Sequence, residues 1–198
     1  MRLAFWPGLS GEADSFSPLE LEVHAPGLEV VLVDPRYAAR DDWRLEALAA
    51  DLIATGADVY GGTSWGAAVA ATAAALQPPT ALVLLEGGFV QPPADTSWID
   101  DVVAAAPEND WAYGEPTLRA ILRAFSEYDA AATLAPIAGA VPTLAVASDQ
   151  IDGRHELVEE RAAWADVRFV AAGHDVVGEL GSALGALVCD WLLARVAA

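Results

Sequence analysis

The segment DVYGGTSWGAAVAATAAA, Asp58 to Ala75, constrains the chain more than any other. It passes from a short β-type run at Val59 and Tyr60 through a glycine-bracketed serine into an alanine-rich helix pattern, Ala67 to Leu76. A serine with glycine two positions before and two positions after it, here Gly62 and Gly66, fits a strand-to-helix turn so sharp that side chains at those two places would collide. Such a turn strains the backbone at Ser64 and holds its Oγ clear of the sheet. The helix behind it aims its first unpaired amides and its positive dipole end at the same spot, which favours an oxyanion developing there. The amide of Trp65 is one candidate donor. Glycine-serine turns also occur in α/β proteins without any chemistry, so a nucleophilic Ser64 needs partners elsewhere in the chain.

The rest of the sequence alternates strand and helix around this segment. Leu3 to Trp6, Val30 to Val33, Ala81 to Leu85, Leu144 to Ala147 and Val167 to Val170 are short apolar runs, continuous enough to predict strands buried on both faces. Helical spacing appears from Trp43 to Ile53, where Gly56 stops it, from Leu157 to Trp164, and from Leu184 to Val196 after the glycines at 178 and 181. Strands alternating with helices predict an α/β fold with a doubly wound, mostly parallel sheet. The span Phe89 to Ile137 breaks the rhythm, being too long for an ordinary connection; its prolines, aromatics and helical pattern predict a small helical lid inserted into one domain covering residues 1–198.

Charge and composition exclude several functions. The formal net charge is −19, which repels nucleic acid and anionic lipid, so neither is expected as a partner. All ten basic residues are arginine, and without lysine there can be no lysine Schiff base, P-loop lysine or lysine general base. No apolar run approaches the ~18 residues that span a bilayer, and MRLAFWPGLSG meets proline and glycine too early for a signal peptide, so a soluble, cytoplasmic protein is expected. The single Cys189 lies in an apolar helix pattern as a small buried side chain. His24, His155 and His174 have no metal-ligand spacing, so neither metal nor cofactor is expected. A small-molecule substrate is the expected partner, and the oligomeric state is not legible.

His174 follows the last apolar strand run and precedes Asp175 and a glycine-rich helix start, the kind of strand-end loop where open α/β sheets place reacting groups. The acid that orients it must sit on a neighbouring strand end. Asp149 and Asp152, both in ASDQIDG, qualify; Asp152 is alternatively a helix cap, Asp149 a turn residue, and Glu86, closing an earlier strand, is a weaker third candidate. The turn Trp6-Pro7-Gly8-Leu9 after the first strand is a candidate for a second oxyanion donor, the Leu9 amide. Trp6, Trp98, Trp111, Tyr113, Phe125 and Tyr128 are candidate walls of an apolar substrate pocket, though aromatics at helical spacing more often serve packing.

On the motifs WPGLSG, GGTSWGAA, LVLLEGG, VPTLAVASDQID and VAAGHD, the chain resembles the α/β-hydrolase superfamily along nearly its whole length. The resemblance implies a Ser-His-Asp triad with Ser64 as nucleophile and His174 as base. It also implies oxyanion donors at Leu9 and Trp65, a lid at Phe89 to Ile137, and a reduced sheet that starts at the family's third strand. Counted from Pro142, the family's usual spacing favours Asp152 over Asp149. Pro7-Gly8 replaces the usual His-Gly, and Ala67 replaces a second glycine after the elbow; neither change removes a backbone donor. The implied activity is hydrolysis of an ester or thioester with a small, largely apolar acyl group. Lyase or cyclase chemistry using Ser64 and His174 for proton transfer is the alternative, as is a non-catalytic binding module.

Overall fold

A computed structural model describes residues 1–9, 21–37, 39–106 and 113–196, with only the backbone of residues 22, 23 and 196. The chain runs β1 (Arg2–Trp6), α1 (Leu21–His24), β2 (Glu29–Leu32), α2 (Leu45–Ala54), β3 (Val59–Thr63), α3 (Trp65–Leu76) and β4 (Ala81–Leu85). It continues through α4 (Trp98–Ala105), α5 (Glu115–Ser126), α6 (Ala130–Leu134), β5 (Thr143–Ser148), α7 (Arg154–Ala162), β6 (Asp166–Val170), α8 (Val176–Leu180) and α9 (Ser182–Val196). The end of the predicted turn at Ser10 and Gly11, and Trp111, lie outside the described residues.

The six strands form one sheet in the order β2-β1-β3-β4-β5-β6, every neighbouring pair parallel, as the α/β expectation requires. Side chains alternate between its faces with the period of two that a strand imposes. Leu3, Phe5, Val83, Leu85, Leu144 and Val146 pack on one side with α8 and α9; Ala4, Trp6, Leu82, Leu84, Ala145 and Ala147 pack on the other with α2 and α3. Both faces are covered, so the central strands must be apolar throughout.

The outer strands differ from expectation. Val30 to Val33 and Val167 to Val170 were expected to be buried on both faces, but β2 and β6 are the sheet's edges and their residues are mostly half-exposed, because an edge strand lacks a neighbour on one side. The expected last helix forms as α9, and a five-residue α8 that the sequence did not suggest precedes it, the two divided at Gly181 with φ 48°.

α3 explains its own alanines. It is wedged against β1, β3 and β4 on one side and α2 and α6 on the other, and its residues from Trp65 to Ala74 are all buried. Small side chains let a helix enclosed on several sides approach its neighbours closely, which anchors the turn in front of it. Because all strands are parallel, the segments after β1, β3, β4, β5 and β6 emerge along one edge of the sheet.

Candidate active site

Ser64 stands between β3 and α3 with φ 53° and ψ −123°. A Cβ on Gly62 would lie 2.1 Å from the Gly66 carbonyl oxygen, and one on Gly66 would lie 2.3 Å from the carbonyl oxygens of Trp6 and Pro7. The glycine bracket is therefore dictated by contact within the turn and with the end of β1. A third glycine escaped the sequence reading: a Cβ on Gly87 would lie 2.1 Å from the Ser64 carbonyl oxygen. Only Arg36, Ser64 and Glu86 among the described non-glycine residues have positive φ, and two of these three meet at this site.

Ser64 Oγ lies 2.9 Å from His174 Nε2 across the sheet edge. The carboxylate beside the other ring nitrogen belongs to Glu86, with Oε1 at 3.8 Å from Nδ1. The sequence favoured Asp152 or Asp149 for this place, with Glu86 third; the fold sets Glu86 there. Asp152 and Asp149 are exposed in the β5–α7 loop and neither makes a hydrogen bond or ion pair with His174; Asp152 does not cap α7 either, since Gly153 occupies that position in a left-handed conformation. The physical reason is that Glu86, at φ 49° directly after β4, is turned into the buried interior next to Ser64, whereas the short β5–α7 loop leaves Asp149 and Asp152 exposed to solvent.

Glu86 is 1% exposed and so needs compensation. Its Oε2 accepts the Ser148 amide at 2.6 Å, and the Arg154 guanidinium stands 2.6 Å from Oε1. That ion pair is not aligned as a hydrogen bond, which leaves Oε1 an acceptor without an aligned donor. Nδ1 of His174 is the ring nitrogen on that side, and a proton there would leave Nε2 to accept from the Ser64 hydroxyl.

Ser148 ties Glu86 to the His174 loop, and sequence reasoning missed it. It is fully buried at the end of β5; its amide serves Glu86 while its hydroxyl donates to the carbonyl of Ala172, two residues before His174. The loop is held on its other side by Glu179, whose Oε1 accepts the Gly173 amide at 2.9 Å, and by Asp175, which accepts the Gly178 amide at 2.9 Å and caps α8. The signals were present: a lone carboxylate closing the apolar run LVLL, followed by two glycines, and one serine ending TLAVAS.

The segment after β1 also lies against Ser64: a Cβ on Gly8 would fall 3.5 Å from Thr63 Cγ2 and 3.7 Å from Ser64 Cβ. The carbonyl of Leu9 accepts the Tyr113 hydroxyl, and that of Gly8 accepts the Tyr37 hydroxyl at 3.2 Å. The two tyrosine rings stack at 4.2 Å. Burial pushes the Tyr113 phenol above its ordinary value, which keeps it a neutral donor. Trp65, as the first residue of α3, has an amide without a partner within the helix.

The aromatic candidates divide. Trp6, Trp65 and Tyr128 are closed off from solvent, while Trp98, Tyr113 and Phe125 are half-buried. Phe125 meets Trp65 edge-on at 6.1 Å and Trp98 edge-on at 6.4 Å, and it stacks on Tyr128 at 6.0 Å. An apolar cluster from α4 and α5 thus touches Trp65, the residue next to Ser64. Trp6 faces the core under the Arg40 guanidinium, 6.0 Å from its ring. Among the described residues no group of His, Cys, Asp or Glu side chains is placed to hold a metal ion, and no helix is long and apolar enough to cross a membrane.

Neither a protein-family model nor a curated protein matches the sequence. Solved structures do. A carboxylesterase of the thaumarchaeon Nitrososphaera gargenis superposes with a TM-score of 0.78 at 14% identity, covering 98% of this chain and 90% of that one. The fold is the α/β-hydrolase fold. An α/β hydrolase from a sediment metagenome of the Mar Chica lagoon, at TM-score 0.73 and 17% identity, covers 98% of this chain and 91% of its own. A deformylase from Pseudomonas putida follows at 0.69 and 20%, with 96% and 90% covered. In an α/β-hydrolase fold the strand order β1-β3-β4-β5-β6 brings Ser64, Glu86 and His174 together in chain order.

Proposed function

We propose that the protein is a serine hydrolase of small, largely apolar esters or thioesters, with Ser64, His174 and Glu86 as its triad. The reading rests on the 2.9 Å approach of Ser64 Oγ to His174 Nε2 from a strained elbow at φ 53°. Ser64 Oγ attacks the acyl carbonyl as His174 Nε2 takes its proton; the carbonyl electron pair moves onto oxygen, facing the amides of Trp65 and Leu9. Collapse of that adduct expels the alcohol or thiol, which receives the proton from His174. Water then attacks the acyl-serine, giving its proton to Nε2, and the acid leaves as Ser64 recovers its hydrogen. Glu86 supports the imidazolium through Nδ1.

The helices α4 to α6 serve as a lid over the acyl group, with Phe125 and Trp98 as its apolar lining. Two structural relatives bear esterase or deformylase names, which supports acyl transfer to water as the reaction class. Coenzyme A thioesters fit less well, because of the two arginines of α5, Arg119 is already held by Asp100 at 2.6 Å and Glu115 at 2.7 Å, which leaves Arg123 alone to anchor a polyanion there. Short-chain aryl esters should therefore show higher kcat/KM than acyl-CoA substrates, and the reverse order would overturn the substrate class. The test of the reaction itself is a fluorophosphonate probe, which should label the wild type and leave Ser64→Ala unlabelled. No labelling of folded protein would remove Ser64 from the mechanism.

A further inference from the structure

The pairing of Arg154 with the buried acid is outside what the triad needs, and it is unusually placed. Arg154 begins α7, its side chain is 10% exposed, and its guanidinium approaches Glu86 Oε1, the same oxygen that faces His174 Nδ1. A carboxylate with side-chain exposure of 0% loses nearly all its hydration. The Ser148 amide alone does not replace that hydration, whereas a guanidinium at 2.6 Å supplies a full opposite charge. The same cation approaches the oxygen that also faces His174 Nδ1, so it opposes a second positive charge forming on His174.

We propose that Arg154 is a positioning residue for the triad, whose charge holds the Glu86 carboxylate with Oε1 turned to His174 and extends activity toward lower pH. The proposal rests on Glu86 being the triad acid. The sign of the expected effect follows from charge alone: a cation 2.6 Å from Glu86 Oε1 opposes any further positive charge at the site, whichever neighbouring group would carry it. Loss of the charge must therefore move the acid limb of activity upward in pH. The groups facing the pair are few. Arg154 comes from α7, the Ser148 amide from β5 and the Ser64 hydroxyl from the elbow; Asp175 and Glu179, nearby on the His174 segment and α8, are each turned to backbone amides, and Asp149 and Asp152 are exposed in their loop.

The test is the pH profile of kcat/KM for p-nitrophenyl acetate with wild type, Arg154→Met, Arg154→Gln and Arg154→Lys. An opposite charge within about 4–6 Å shifts a carboxylic acid by about 1–3 pH units, so both neutral variants should move the acid limb up by about one unit or more. On the limb this is at least about a tenfold loss, which recovers as the pH is raised. Arg154→Lys, which keeps the charge without the planar fork, should hold the limb within about half a unit of wild type. Arg154→Gln leaves a donor for Oε1 and carries the test if the methionine variant does not fold. A loss of equal factor at every pH, or an unmoved limb in the neutral variants, would overturn the proposal. Glu86→Gln separates the two readings: wild-type kcat in that variant overturns the acid assignment itself, whereas an inactive Glu86→Gln beside an unmoved Arg154→Gln overturns the role of Arg154 alone.

Discussion

Replacing each candidate acid by its amide, Glu86→Gln, Asp149→Asn and Asp152→Asn, should give three very different proteins. Gln at position 86 keeps the shape of the side chain but leaves the Arg154 charge unpaired at a site 10% exposed. Breaking one partner of a buried pair costs about 3–5 kcal/mol. For a chain of this size each kcal/mol is worth about 2–4 °C, so Tm should fall by roughly 6–20 °C while the protein remains folded at 25 °C. Activity should fall further, because an amide no longer fixes the imidazole tautomer and kcat drops on the order of 10⁴-fold. Asp149 and Asp152 are exposed and bond to nothing through their side chains, so their amides should stay within about 0.5 kcal/mol and close to wild-type kcat. The assay is p-nitrophenyl acetate hydrolysis alongside thermal unfolding followed by circular dichroism. A crippled Asp152→Asn or Asp149→Asn, next to a Glu86→Gln that keeps its activity, would refute the geometric assignment of the acid.

Ser148→Ala removes the hydroxyl that holds the Ala172 carbonyl and should cost about 1–3 kcal/mol in urea unfolding, with a fall in kcat larger than any change in KM; unchanged kcat would show that the His174 loop positions itself. Tyr113→Phe frees the Leu9 carbonyl from the lid and should lower kcat with KM for a short ester little affected, whereas a purely KM effect would place Tyr113 in the substrate pocket and not behind the oxyanion loop. Cys189 is buried with its thiol pushed up to about 11, so native protein should resist Ellman's reagent at pH 8 and react fully once unfolded; fast native labelling would contradict the packing of α9. Because the neutral thiol is the form the fold favours, its contribution to stability is complete below about pH 9 and is lost as pH rises through about 11, which unfolding midpoints across that range would reveal.

The sheet and the elbow were legible because their causes are local. Hydrophobic runs, glycine spacing and the alanine face of α3 are properties of adjacent residues, and the collisions predicted at Gly62 and Gly66 are contacts within the turn and with its nearest strand end. The edge positions of β2 and β6 were not legible, since strand order depends on which helices cross which face. The acid was the harder case. Asp149 and Asp152 had the expected spacing, but a side chain's direction depends on backbone φ and on buried partners: Glu86 turns inward at φ 49° and finds Arg154, 68 positions on in the sequence (154 − 86), together with the Ser148 amide. Gly87 was invisible for a similar reason, because the atom it must avoid is the Ser64 carbonyl oxygen on a different strand end.

The central claim is that Ser64 carries the acyl group between two half-reactions. Rapid-quench intact-mass measurement during turnover of a panel of p-nitrophenyl esters tests it most directly, with peptide mapping to place any adduct. The account predicts a mass increase equal to the acyl group, located on Ser64, accumulating more in Glu86→Gln if deacylation is slowed most, and absent in Ser64→Ala. Steady turnover with no adduct at any quench time, and only a modest loss of rate in Ser64→Ala, would contradict it and leave proton-transfer chemistry at the same serine and histidine.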